Sequence, residues 1–134
     1  MRDAVIVVVD DEEPIVRVIA HLLNHAGFPT LGTTDPEEAI RVVAANSSVR
    51  LIISDVLMPN LAGPEMVRQA LRLRDDDVRV VFMSGAPERL PHRRTDHFLQ
   101  KPLNFGTLAR ELQNVLANPS ISTSRDGLER RRLR

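Results

Sequence analysis

The residues with most chemistry in this 134-residue chain are three aspartates, a serine and a lysine, each just past an apolar run. Asp10 and Asp11 follow Ala4–Val9, Asp55 follows Leu51–Ser54, Ser84 follows Val78–Met83, and Lys101 follows Phe98-Leu99. Carboxylates brought together repel, and three cannot all stay ionised without a cation. A hard divalent ion relieves the repulsion, and magnesium suits one or two carboxylates with waters and a phosphoryl oxygen. A carboxylate beside such an ion can act as a nucleophile toward phosphorus. Phosphoryl transfer then needs chiefly positioning and charge neutralisation, which the ion, the Lys101 ammonium and a donating Ser84 hydroxyl would supply.

Each residue has an ordinary explanation when taken singly. Asp10-Asp11 suits an acidic helix cap, Asp55 a turn before Met58-Pro59, Ser84-Gly85 a loop, and Lys101-Pro102 an exposed bend. Their common placement after successive strands favours one shared site. So does composition: the chain has 17 arginines and one lysine. A compact ammonium is a point charge for a single phosphoryl oxygen, whereas arginine is a planar fork.

The elements that must position these residues alternate in type. Ala4–Val9 is a continuous apolar run, as in a parallel strand buried on both faces. Glu12-Glu13-Pro14 opens a helix with Ile15, Val18, Ile19, Leu22, Leu23 and Ala26 inward, stopped at Gly27. Phe28–Thr33 reads as a weaker strand, and Asp35 caps a helix with Ala39, Ile40 and Val43 inward. Leu51–Ser54 is a third strand, and Pro64 starts a helix carrying Met66, Val67, Ala70 and Leu71. Asp75-Asp76-Asp77 is a polar turn before the strand Val78–Met83. Phe98-Leu99 marks a fifth strand, and Phe105–Leu116 a last helix with Leu108, Leu112, Val115 and Leu116 as its stripe. Strands alternating with helices predict an α/β fold, a parallel sheet covered on both faces. Ligands of such sheets bind past the carboxyl ends of the strands, where strand order reverses.

Net charge is zero, so the whole molecule carries no electrostatic signature of nucleic-acid or membrane binding. Residues 120–134 nevertheless hold five arginines against one Asp and one Glu. They read as a flexible Arg-rich tail, residues 119–134, after a domain of residues 1–118. Nucleic-acid contact by this tail is disfavoured, since no aromatics or binding motif accompany it. Cysteine is absent, which excludes disulfides and thiolate metal sites. No segment has the length of a membrane span or a signal peptide, so a cytoplasmic location is expected. His21 and His25 lie one helical turn apart, but with no third ligand evident a solvated face is expected.

In order along the chain, Val9-Asp10-Asp11-Glu12, Ser54-Asp55-Val56-Leu57-Met58-Pro59, Met83-Ser84-Gly85-Ala86 and Phe98-Leu99-Gln100-Lys101-Pro102 resemble the receiver domains of two-component response regulators. Gly63 also falls where that family usually has glycine, and the resemblance spans roughly Ala4–Ala117. It implies a doubly wound, flavodoxin-like fold of five parallel strands in the order 2-1-3-4-5. It implies that Asp55 accepts a phosphoryl group from a phosphohistidine on a sensor histidine kinase or phosphotransfer protein. Asp10, Asp11, Asp55 and the backbone carbonyl of Leu57 would hold Mg2+. Ser84 would be the switch hydroxyl, Phe98 the switch aromatic where tyrosine is more common, and Lys101 the phosphate partner before a cis Pro102. A stand-alone, self-phosphorylating and self-dephosphorylating switch is expected rather than a turnover enzyme. Its output would pass to a downstream protein partner, a relay, or an output domain on another chain, with a homodimer left open.

Ala86–His97 departs from the pattern. Pro87 and Pro91 break a helix and the apolar stripe is missing, so a short or irregular fourth helix is expected there. That keeps an alternative open: a receiver-like module that binds constitutively without phosphorylation. A phosphatase using an Asp nucleophile after a strand is disfavoured. Such enzymes need a second Asp two residues on, and that position is Leu57.

Overall fold

The computed structural model describes residues 6–74, 76–85 and 97–117. Five strands and four helices lie among them: β1 (Ile6–Val9), α1 (Glu13–His25), β2 (Thr30–Thr33), α2 (Pro36–Ala45), β3 (Leu51–Asp55), α3 (Gly63–Arg72), β4 (Arg79–Ser84), β5 (His97–Gln100) and α4 (Phe105–Ala117). All pairings are parallel and the order is β2-β1-β3-β4-β5. This is the doubly wound order expected from the resemblance. The expected irregular helix at 86–97 lies almost wholly outside the described residues, and so does the 119–134 tail.

Strand alternation divides the core in two. Ile6, Val8, Leu51, Ile53, Val81 and Met83 meet Ile19, Leu23, Leu108 and Leu112 on the α1/α4 face. Val7, Val9, Ile52, Val80 and Phe82 meet Ala39, Val43, Met66, Val67, Ala70 and Leu71 on the α2/α3 face. β1 and β3 are buried at every position, which explains their apolar runs.

The inward stripe of α1 differs from the expected one. Val16, Ile19 and Leu23 are buried, whereas Val18 and Ala26 face solvent. Val16 is drawn in because α1 packs directly over Gly32 of β2, where a Cβ would lie 2.4 Å from Val16 Cγ1. Helix α1 closes at Gly27, whose φ of 98° suits glycine. There Gly27 N donates to Asn24 O and Phe28 N to Leu23 O, pairing the last carbonyls. Asp35 caps α2 by accepting from Glu37 N.

The chain winds from β1 to β2 on one side of β1 and returns to β3 on the other. The crevice at this reversal opens at the carboxyl ends of β1 and β3, where Asp10 and Asp55 stand.

Candidate functional site

Asp10 is the residue after β1 and is fully buried. Its Oδ1 accepts from Glu12 N at 2.9 Å, an Asx-type turn that orients the carboxylate as the chain enters α1. Asp55 ends β3, is 7% exposed, and is tied to β4 through the next amide, Val56 N to Met83 O. Asp11 is exposed at the rim. Oxygens of Asp10, Asp11 and Asp55 come within 4.8 Å of one another. This is the only such group of three His, Cys, Asp or Glu residues among the described residues, so His21 and His25 find no third ligand there. Their rings lie side by side, centroids 6.2 Å apart, on the exposed face of α1.

Lys101 reaches the acids from the far end of β5. Its amide donates to Ser84 O at 2.8 Å, and the Lys101-Pro102 bond is cis, as expected. Nζ lies 3.2 Å from Asp10 Oδ2 and 3.1 Å from Asp55 Oδ1, bridging the two buried carboxylates. The lone lysine is therefore the counter-ion of the site.

The electrostatics show one cation set against three anions. Burial pushes the Asp10 carboxyl up, and the charge of Asp55 adds to it against the Glu12 amide and Lys101. Burial likewise pushes Asp55 up, with Asp11 adding repulsion and Lys101 opposing. For Lys101, burial pulls the ammonium down, but the hydrogen bonds and charges of Asp55 and Asp10 outweigh it and the pKa is raised. Two carboxylates that ionise reluctantly despite a lysine bridge form a site with room for further positive charge. An all-oxygen donor set of this kind fits a hard divalent ion such as Mg2+ better than a softer metal.

Ser84 ends β4 in register with Gln100, half-buried at the same edge. Phe98 on β5 is partly buried, its ring 5.8 Å from that of Phe82. Leu57 lies in the β3–α3 connection, two residues past Asp55, and is 80% exposed. The structure thus gathers Asp10, Asp11, Asp55 and Lys101 directly, and places Ser84 and Phe98 on the adjoining strands.

Two residues named only through the family resemblance turn out to support the site. Ser54 Oγ donates to Asp55 O at 2.8 Å. Gly63 packs so closely that a Cβ would sit 2.1 Å from Asp55 O. A serine inside an otherwise apolar strand, and a glycine directly before the helix-opening Pro64, were the available signals.

The family model of the response regulator receiver domain matches residues 6–113. The chain is similar to the sensor kinase CckA of Brucella abortus (strain 2308), 28% identical over 119 residues, 84% of this chain and 12% of the kinase. It is also similar to the alkaline phosphatase synthesis transcriptional regulatory protein PhoP of Bacillus subtilis (strain 168), with 39% identity over 92% of this chain and 55% of the regulator. Among solved structures, the receiver domain from the hybrid histidine kinase CckA superposes with a TM-score of 0.70 at 34% identity, covering 81% of this chain and 95% of that one. The chain spans about half the length of the curated regulators it matches, and far less of the kinase.

Proposed function

The chain belongs to the response regulator receiver domain family, and on that premise we propose that it is a phospho-switch in which Asp55 receives a phosphoryl group from a phosphohistidine. The observation that carries this reading is the Lys101 bridge to Asp10 and Asp55 inside an acidic group of three. Asp55 supplies the nucleophilic carboxylate oxygen. Its new O–P bond forms as the donor's N–P bond breaks, and the imidazole nitrogen leaves with the electron pair. Asp10, Asp11, Asp55 and the Leu57 carbonyl would hold Mg2+, which supplies charge neutralisation for the phosphoryl oxygens. Lys101 is placed to exchange its pairing with the Asp55 carboxylate for a pairing with the phosphate.

The readout lies in β4 and β5. Ser84 and Phe98 stand at this edge, and a hydroxyl drawn toward the phosphate would leave space for the neighbouring ring. Partners would sense that rearrangement: a sensor histidine kinase or phosphotransfer protein on the input side, a downstream protein or output domain on the other. The same reading makes the chain a switch rather than a turnover enzyme, and cytoplasmic. Among the described residues, no helix is long and apolar enough to cross a membrane.

Incubation with acetyl phosphate and Mg2+, followed by intact mass, tests the proposal. One added phosphoryl group is expected, lost with EDTA and in Asp55→Asn. No adduct under conditions that label another receiver domain would overturn it in favour of a constitutive binding module.

A further inference from the structure

The Asp55 carboxylate is only as well placed as the main chain that carries it. That chain is held from beneath by two residues with no part in the chemistry. β3 ends at Asp55, the chain runs out through Val56 to Ala62, and α3 begins at Gly63 against the Asp55 carbonyl. Gly63 N donates to Val56 O at 2.8 Å and so closes the connection into a loop. Ser54 Oγ donates to Asp55 O, also at 2.8 Å. A Cβ on Gly63 would meet Asp55 O at 2.1 Å, Ser54 Oγ at 2.8 Å and Asp55 C at 3.1 Å. Two of these three contacts are main chain, which cannot rotate aside as a flexible side-chain tip can. Ser54 and Gly63 are both buried.

We propose that Gly63 and Ser54 are positioning residues that set the distance between the Asp55 carboxylate, the Leu57 carbonyl and the Asp10 carboxylate. The inference rests on the reading of Asp55 as phosphoacceptor. Asp10 belongs to β1 and is oriented by its own turn with Glu12, outside the connection that Gly63 packs against. Leu57 lies inside the loop that the Gly63–Val56 hydrogen bond closes. Relieving a 2.1 Å contact to ordinary van der Waals separation moves the Asp55 main chain or the start of α3 by more than about 1 Å. Mg2+ demands near-ideal octahedral geometry, so a shift of that size separates ligands that must act together.

The test uses the full chain with Gly63→Ala, Ser54→Ala and the double variant Ser54→Gly/Gly63→Ala. Mg2+ affinity is read by calorimetry, phosphorylation by acetyl phosphate at saturating Mg2+, and folding by far-UV circular dichroism, all well below the melting temperature. Gly63→Ala is expected to weaken Mg2+ binding and to slow phosphorylation by up to about 10²-fold. Ser54→Ala, which removes one hydrogen bond and leaves the packing, is expected to slow it by about fivefold. The double variant is expected not to recover, because the nearest clash is with the Asp55 carbonyl rather than with Ser54. A folded Gly63→Ala that binds Mg2+ and accepts phosphate as the wild type does would overturn the inference, as would recovery in the double variant. If Gly63→Ala fails to fold, Ser54→Ala decides: wild-type affinity and rate there overturn the inference. A wild-type chain that takes no phosphoryl group refutes the function itself, an outcome distinguishable from all of these.

Discussion

Arg74 offers the sharpest quantitative prediction, because its hydrogen bonds can be counted. The side chain is 5% exposed and follows α3. Nη1 donates to Val43 O at 2.9 Å and Asn46 O at 3.0 Å, and Nη2 to Ser47 O at 3.2 Å and Val49 O at 3.0 Å. Nε and Nη2 also grip the two oxygens of Asp76, each at 2.7 Å. One guanidinium thus caps the orphan carbonyls at the end of α2 and pins the connection into β3. In Arg74→Met the apolar stem is roughly kept and the donors vanish. The Val43 and Val49 carbonyls are buried, and each loses its guanidinium partner at about 1–3 kcal/mol. The carbonyls of Asn46 and Ser47 and the Asp76 carboxylate, 46% exposed, recover water. Relief of the guanidinium's own desolvation offsets part of the loss. A net destabilisation of about 3 kcal/mol follows, or roughly 10 °C in melting temperature for a domain of this size. Thermal and urea unfolding followed by circular dichroism measure it, since the chain has no Trp or Tyr. Arg74 lies at the opposite end of β3 from Asp55, so Mg2+ affinity in the cold should be unchanged. A loss below about 1 kcal/mol would refute the reasoning, showing that water replaces the guanidinium at little cost.

Other perturbations have equally definite outcomes. The carboxyls of Asp10 and Asp55 are raised in the fold, so the metal-free protein holds their protons more tightly than the unfolded chain does. Their contribution to stability is therefore full below about pH 4 and is lost as pH rises through the raised values. Metal-free Asp55→Asn should melt above the wild type at neutral pH and beside it at acid pH, and Mg2+ should stabilise only the wild type; equal melting curves across pH would contradict this. Lys101→Arg should not restore function, because a planar fork cannot replace a point charge 3.1 Å from Asp55 and 3.2 Å from Asp10; phosphorylation and hydrolysis rates would show it. Gly32→Ala should destabilise the fold by about 1–3 kcal/mol, since its Cβ meets Val16 Cγ1 at 2.4 Å and α1 must lift from β2; urea unfolding measures it.

Much of this was legible in the residues. Central strands buried on both faces must be continuously apolar, so β1, β3 and β4 were visible, and the acids stood out because they interrupt the runs at strand ends. The boundaries drifted where side chains give no signal: β2 begins at Thr30 rather than Phe28, and β4 runs from Arg79 to Ser84. The inward face of α1 was misjudged at Val18: Val16, Ile19 and Leu23 also stand at helical spacing, and the close approach over Gly32 brings Val16 inward. Asp75-Asp76-Asp77 read simply as a polar turn, yet Asp76 is one jaw of the Arg74 clamp, whose other partners lie 25 or more residues away. A contact of that range with main-chain carbonyls leaves no local pattern. Gly63 was visible only through the family resemblance, and its physical reason, the Asp55 carbonyl beneath it, leaves no mark in the local sequence.

The most direct test asks which carboxylate carries the phosphoryl group. Acetyl phosphate and Mg2+ are added, the acyl phosphate is trapped with borohydride, and the digested peptides are sequenced by mass spectrometry. Reduction of an aspartyl phosphate leaves homoserine in place of aspartate. Homoserine is expected at position 55, dependent on Mg2+, with Asp10 and Asp11 intact. Homoserine at position 10 or 11, or none at position 55 when the intact protein carries the adduct, would contradict the role of Asp55.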